Sequence, residues 1–348
     1  MLLVETVTPA ARALHDDCLV VDLHADTLEM VRLGLDLGRE HRSLWWVGHV
    51  LGHVDLPRMR QGGLGVQAFG VVVPPWTRAG RALDRVRAQV DLLDRCCARF
   101  PDRLCRVRTA AEAQEARRGG RIGALVGVEG SYGLVGDPGA AVELARLGVT
   151  YVGPAHIFSS RDVPSSLTRA SGRLTGAAWT FIEELRDAGV LVDLAHMARG
   201  PFLEVCEAAS APVVVSHTGL AALRPMWRNI DDDQVRAVAR TGGVIGVIFT
   251  PRFLGIAGVE GIVRHLEHLV DVGGQDVAAL GSDFDGLVRP PRDLADVSGL
   301  PRITQALLDR GVPERVIRKI LGENVLRVLP ADQSSVRNPP QSCQPGSG

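Results

Sequence analysis

The chain has little that would tie it to a charged polymer or a membrane. Its 39 basic and 40 acidic residues leave a formal net charge of −1, which argues against a nucleic-acid or anionic-membrane partner held by bulk charge. The first twenty residues lack a basic start followed by a long apolar run, and no stretch approaches the roughly 18 apolar residues needed to span a bilayer. A cytoplasmic protein without a membrane anchor is expected. Cysteine is sparse: Cys18, Cys96, Cys97, Cys105, Cys206 and Cys343 are scattered without metal-finger spacing, and adjacent Cys96 and Cys97 are poorly placed to bridge to each other. Reduced, mostly buried thiols are expected. Internal repeats are missing, as is any Pro/Ser/Gly linker before residue 330, so residues 1–329 are read as one domain. Beyond Leu329 the sequence turns to Pro, Ser, Gln and Gly without periodicity, the composition of a disordered tail (330–348) that lacks the apolar end of a lipid-anchor signal.

What is present is ample material for a core: 348 residues, 46% of them hydrophobic. Eight short apolar or β-branched runs recur along the chain, at Cys18–His24, Val66–Val73, Ile122–Val128, Val149–Ala155, Val190–Ala195, Val213–Ser216, Val244–Phe249 and Val277–Gly281. Runs this apolar suit strands buried on both faces. Between them lie segments of helical periodicity, several closed by a glycine stop, as at Leu147-Gly148 and Ala188-Gly189. Eight alternating strand and helix units predict an α/β fold of the (β/α)8 TIM-like barrel type. The long connection Thr27–Gly65, with Trp45, Trp46, His49 and His53, is expected to fold over the barrel mouth.

Barrel enzymes build their sites from the C-terminal ends of the strands. Here the first run ends in His24 and Asp26, the third in Glu129, the fourth in His156, the fifth in His196, the sixth in His217 and the eighth in Asp283. Singly, each of these is as well explained by a loop hydrogen bond or a helix cap. Jointly, three carboxylates and four imidazoles sent to one rim indicate a metal site, and nitrogen and oxygen donors without thiolate suit zinc first. These are too many ligands for one tetrahedral ion and enough for two. The expected arrangement is His24, Asp26 and Glu129 on one zinc and Glu129, His196 and His217 on the other, with Glu129 as the bridge. A hydroxide held between the two would attack a carbonyl, with Asp283 accepting and donating the proton.

The motifs carry a resemblance. Val-Asp-Leu-His-Ala-Asp at 21–26, Val-Asp-Leu-Pro-Arg-Met at 54–59, Gly-Val-Glu-Gly at 127–130, Asp-Leu-Ala-His at 193–196, Ser-His at 216–217, Arg-Asn-Ile-Asp at 228–231, Gly-Ser-Asp-Phe-Asp-Gly at 281–286 and Glu-Asn-Val-Leu-Arg-Val at 323–328 occur in order. In this the chain resembles the membrane (renal) dipeptidases, binuclear zinc barrels of the amidohydrolase type, over essentially Cys18–Leu329. The resemblance implies the same five ligands, His24, Asp26, Glu129, His196 and His217. It further implies that His156 contacts the substrate and polarises the scissile carbonyl, that Arg228 holds the substrate carboxylate, and that Asp283 is the acid/base. A homodimer is implied too, although composition does not show one. Arg228 by itself reads as a surface charge.

Departures fall around the pocket rather than on the ligands. Ser131-Tyr132 stands where family members carry Gly-His, Ala25 where Asn is more usual, and Ile248-Phe249-Thr250 where Asn-Phe and an aromatic are common. Tyr132 is therefore a candidate substrate contact. The reading is a zinc-dependent dipeptidase. Its alternatives are the same site acting on another small amide or lactone, such as an N-acyl amino acid, and an inactive metal-binding barrel that serves as a partner-binding module. Blander features have blander readings. His49 and His53 lack the Glu of a zinc-protease helix and read as lid residues, and His265 and His268 read as the exposed face of a helix. Basic clusters at Arg117–Arg121 and Arg315–Lys319 complement helix ends. Gly62–Gly65 lacks the Lys-Ser/Thr of a phosphate loop, and Gly281–Gly286 reads as a tight turn exposing Asp283.

Overall fold

Apolar runs flanked by helices have water on neither face, and the strands they form are covered on both sides. Every residue of β1 (Val20–Ala25) and of β4 (Ile122–Glu129) is buried. The computed structural model describes residues 6–41, 49–78, 80–168 and 171–330. Trp45, Trp46 and the tail from 331 lie outside the described residues. The other strands are β2 (Leu64–Val72), β3 (Leu104–Arg106), β5 (Tyr151–Gly153), β6 (Leu191–Val192), β7 (Val214–Thr218), β8 (Val244–Val247) and β9 (Ala278–Leu280).

All neighbours pair in parallel, in the order β6-β5-β4-β2-β1-β9-β8-β7. The open edges meet through a bridge between Asp193 and Val214, where the Leu194 N–H donates to the Val214 carbonyl at 2.8 Å. The result is a nearly closed barrel of eight parallel strands, as the alternation predicts. One strand is additional: β3 pairs only with β4, outside the barrel. Its three residues are too few to register as a separate apolar run.

Inside, Val21, Leu23, Val66, Ala68, Leu125, Tyr151, Val214, Val244 and Ala279 fill the barrel, and Val325, Val328 and Leu329 join them from the end of the chain. Outside, the helices pack their apolar sides onto the strands in a second, larger cluster. Helix starts follow local chemistry: Thr109 with Glu112, and Asp231 with Gln234, form reciprocal capping boxes.

Two strands depart from a plain two-residue alternation, and both departures matter. In β1, Val21 faces Val66 while Ala25 faces Phe69, so the pairing slips by one residue between Asp22 and Ala25. In β7, Val215 faces Ile245 while Thr218 faces Val247, a second slip of the same kind. Each is a β-bulge that reverses which side chains point inward. Val21 and Val214 face inward below the bulges, and His24, Asp26 and His217 face inward above them.

His265, expected on the exposed face of a helix, is instead buried in the helix Val259–Gly273. Its Nδ1 accepts from the Leu220 N–H at 3.0 Å and its Nε2 donates to the Leu254 carbonyl at 3.1 Å, so the ring is a cross-link between loops. His268 is half-buried, bonded to Asp232 at 2.8 Å. His15 is buried likewise, between Thr304 Oγ1 at 2.7 Å and the Gly62 carbonyl at 2.8 Å. Burial lowers both imidazoles from 6.5 to about 4. Folding therefore prefers their neutral forms, and that contribution is complete above pH 6.5 and lost as pH falls toward 4. Each supplies up to about 3 kcal/mol. The denaturant midpoint should fall across this window, and fall less steeply in His265→Gln. A midpoint independent of pH between 6.5 and 4 would contradict the assignment.

Candidate metal centre

Glu129, the last residue of β4, is 3% exposed, and its two oxygens face different imidazoles. Oε2 lies 3.7 Å from His24 Nε2 and 3.4 Å from His156 Nε2, whereas Oε1 lies 2.7 Å from His196 Nε2 and 3.5 Å from His217 Nε2. The His24 and His217 rings stack at 4.1 Å, and His196 and His217 bring their Nε2 atoms within 3.1 Å. The same His24 Nε2 is also approached by Asp26 Oδ1 at 3.5 Å and Asp283 Oδ1 at 4.0 Å. All seven residues singled out at strand ends thus converge on one spot.

Their closest groupings are His24–Glu129–His217, Glu129–His156–His196 and His24–Asp26–Asp283. These cut across the division into two ligand triads expected from the strand order, because His217 lies against both halves of the cluster. Glu129 or His24 belongs to every group.

The donors suit a cation. His24 Nε2, Asp26 Oδ1 and Glu129 Oε1 are buried without a hydrogen-bond partner, and a positive ion among them would satisfy all three. Burial alone would lower His24, yet Asp26, Glu129 and Asp283 outweigh it and raise the imidazole to about 10. The pocket draws positive charge to this point. Burial and then the Arg228 cation push His196 down to about 3, and burial and His24 push His217 well down, leaving neutral imidazoles of the kind that ligate metals. Against its own burial, Glu129 is held well below the usual carboxylate range by His156, His196 and His24.

Two buried Asp–Ser staples hold the ligand-bearing ends in place. Asp193 accepts from the Ser216 N–H at 2.9 Å and from Ser216 Oγ at 2.6 Å, and Ser216 Oγ lies 2.9 Å from His217 Nδ1. With its own proton given to Asp193, Ser216 Oγ accepts from Nδ1–H, which leaves His217 Nε2 free to ligate. Asp22 repeats the device across the barrel, accepting from Ser282 N–H at 2.8 Å and Oγ at 2.6 Å, directly before Asp283. Space is made by glycine: a Cβ on Gly70 would stand 2.4 Å from Asp26 Oδ1, and one on Gly127 would stand 2.0 Å from the Tyr151 ring. That ring sits beneath the site, with its hydroxyl donating to the Leu23 carbonyl at 2.5 Å.

The turn carrying Asp283 is tight, as expected, but it leaves Asp283 buried rather than exposed, and its left-handed positions are Asp283 (φ 61°), Asp285 (φ 65°) and Leu287 (φ 60°), not the glycines. His196 is also left-handed, at φ 64°. Asp285 accepts from the N–H groups of Gly52 and His53 and from Thr27 Oγ1, tying the mouth insertion to the Asp283 loop. His53 is therefore buried against the barrel, while His49 is exposed.

Arg228 is a correction to what its residue type alone suggests. It is 3% exposed, its Nη2 donates to the His217 carbonyl at 2.6 Å, and it lies 3.3 Å from His196 Nε2. The fold places it beside the imidazole cluster, where the family resemblance, but not its residue type, leads one to expect it. Tyr132 is buried too, with its hydroxyl donating to the Phe158 carbonyl. Around the mouth, Trp76, Phe158, Leu167, Trp227 and Leu287 expose large apolar surfaces on the loops that follow the strands.

A parallel barrel with three carboxylates and four imidazoles at the C-terminal ends of its strands defines a metal-dependent hydrolase. The family model for membrane dipeptidase, peptidase family M19, matches residues 9–342, and the chain belongs to that family. It is a metallopeptidase of the dipeptidase type, a peptide-bond hydrolase. Dipeptidase verJ of Clonostachys rogersoniana is 32% identical over 295 residues, covering 80% of this chain and 76% of that protein. Among solved structures, the dipeptidase AC, a metallo peptidase of family M19, is 30% identical with a TM-score of 0.79 over 90% of this chain and 98% of its own. A metallo peptidase from Rhodobacter sphaeroides, liganded with a phosphinate mimic of the dipeptide L-Ala-D-Ala, is 27% identical with a TM-score of 0.80, covering 90% and 99%.

Ser216→Ala should unlock the His217 tautomer and lower metal affinity roughly 10- to 100-fold, as loss of a partner behind a ligand typically does. Titration against a competing chelator would read this. An affinity equal to wild type would show that the staple does not set the ligand.

Proposed function

We propose that the chain hydrolyses dipeptides at a two-zinc site bridged by Glu129. The observation that carries this reading is the division of the two Glu129 oxygens between separate pairs of imidazoles. His24, Asp26 and Glu129 would hold one ion, and Glu129, His196 and His217 the other; when bound, the pair supplies a Lewis acid for the carbonyl and lowers the pKa of water.

The remaining work falls to this chain's residues. Arg228 keeps N–H donors beyond the one given to His217, and its planar fork suits the free carboxylate of a dipeptide. Its depth within the barrel end gives that contact a low-dielectric setting. His156, with Nε2 beside Glu129, can donate to the oxygen of the scissile carbonyl as negative charge develops there. Burial holds the Asp283 carboxyl well above its ordinary range, with Asp26 and Glu129 adding to the shift, which suits a group that must accept and return a proton. Water oxygen adds to the carbonyl carbon, the C–N bond breaks, and Asp283 passes the water's proton to the leaving amine.

We also read residues 1–329 as one catalytic domain in the cytoplasm, with a homodimer as the assembly that the family resemblance implies. The thiols of Cys18, Cys96, Cys97, Cys105 and Cys206 are free, as a reducing compartment requires, and among the described residues no helix is long and apolar enough to cross a membrane.

A second reading keeps the site and changes the substrate. The apolar rim of Trp76, Phe158, Leu167, Trp227 and Leu287 would suit an N-acyl amino acid or a lactone with a greasy group at the mouth. A panel of L,L- and L,D-dipeptides, N-acyl amino acids and lactones separates the two. Complete chelation should abolish dipeptide hydrolysis, and two equivalents of zinc should restore it. Activity that survives complete metal removal would sink the mechanism. Arg228→Lys should lower kcat/KM by roughly 30- to 100-fold, equivalent to ~2–3 kcal/mol of lost bidentate contact, with less loss on substrates whose carboxylate is amidated.

A further inference from the structure

The loop that follows β5 carries His156, and it is laced to the segment that follows Glu129. The Gly130 N–H donates to the Gly153 carbonyl at 2.9 Å, Ser131 donates through Oγ to the Pro154 carbonyl at 2.7 Å, and the Tyr132 hydroxyl donates to the Phe158 carbonyl. These three partners bracket His156: Gly153 and Pro154 lie three and two residues before it, and Phe158 two after it. The outer side of the same loop is tied elsewhere. Ser166 N–H donates to the His196 carbonyl at 2.8 Å, the Ala198 N–H donates to the Pro164 carbonyl at 3.1 Å, and Ser165 bridges to Met197.

His156 itself has weak local support. It is part-exposed, and its side chain meets the rest of the site through Glu129 Oε2 at 3.4 Å and the edge of the His196 ring at 5.0 Å. Its position therefore depends on the backbone on either side. Downstream, that backbone is held by two buried side chains, Ser165, whose Oγ donates to the Ile157 carbonyl at 2.8 Å, and the 6%-exposed Tyr132 at the Phe158 carbonyl. The ring is seated as well as bonded, because a Cβ on Gly130 would stand 2.9 Å from the Tyr132 ring. Burial pushes its phenol up to about 12, so it remains a donor at any neutral pH.

We propose that Tyr132 is a positioning residue that acts on the reaction through His156, by clamping the Phe158 carbonyl so that the His156 loop stays seated over Glu129. The proposal rests on the role given above to His156. It also assigns a purpose to the departure at 131–132: where the related motif has Gly-His, this chain has a hydroxyl on a ring long enough to reach across to the β5 loop. A displacement of about 1 Å in a group that stabilises the transition state costs up to roughly 100-fold in rate, whereas ground-state binding through Arg228 is untouched.

The test is a double-mutant cycle on the zinc-loaded enzyme with a dipeptide substrate, combining Tyr132→Phe and His156→Ala. Tyr132→Phe should lower kcat about tenfold with KM within twofold, with metal content unchanged, and should weaken a phosphinate dipeptide mimic in proportion to kcat/KM. Added to His156→Ala, it should cost nothing further. Equal multiplicative losses in both backgrounds would overturn the proposal, as would a Tyr132→Phe enzyme with wild-type kcat. A His156→Ala enzyme with wild-type kcat would instead remove the role of His156, and the proposal with it. Should Tyr132→Phe fold poorly, Tyr132→His, which restores the related residue, should show the same kcat-selective loss.

Discussion

A carboxylate buried to 3% exposure cannot stay ionised unless positive charge or strong donors reach it, and the architecture around Glu129 is organised by that requirement. Four imidazoles arrive from four different strand ends, two to each oxygen. Three of them, His24, His196 and His217, are themselves buried, so burial drives His196 and His217 toward neutrality while the three carboxylates pull a proton onto His24. Each group is tolerable only in the presence of the others. The unpartnered His24 Nε2, Asp26 Oδ1 and Glu129 Oε1 mark where that balance calls for a cation.

Meeting this requirement takes more than a barrel. The bulges in β1 and β7 turn His24, Asp26 and His217 inward from strands whose lower halves point the opposite parity into the core. The Asp22–Ser282 and Asp193–Ser216 staples then fix the strand ends, and the second also selects the tautomer of His217. Polar groups this deep add stability only when satisfied, and all four staple residues are. Left-handed backbone at His196 and Asp283 concentrates strain in the same ring of residues.

The layer above the strand ends is built differently. The five ligand-type residues sit on strand ends that cannot move without reopening the barrel, whereas Tyr132, Phe158, Leu167 and Trp227 sit on loops that can. A metal-dependent hydrolase can thus keep its chemistry and change the substrate it admits or the way His156 is held.

The sequence by itself determined the alternation of eight apolar runs and helices, and with it the barrel, because strand burial and helix periodicity are local patterns. It also determined which strand ends carry ligand-type side chains, and the motifs at 21–26, 127–130 and 193–196 sufficed to expect a metal site. Only the tertiary structure decided the rest. Arg228 and His265 read as exposed from their surroundings in the chain, yet the fold buries both, since what covers them comes from residues distant in sequence. A β-bulge has no composition of its own, so the inward turn of His24 and His217 is visible only in strand register. The partnership of Tyr132 with Phe158, 26 residues away, belongs to the same class: residue type announced a hydroxyl, and the packing of two loops chose its acceptor.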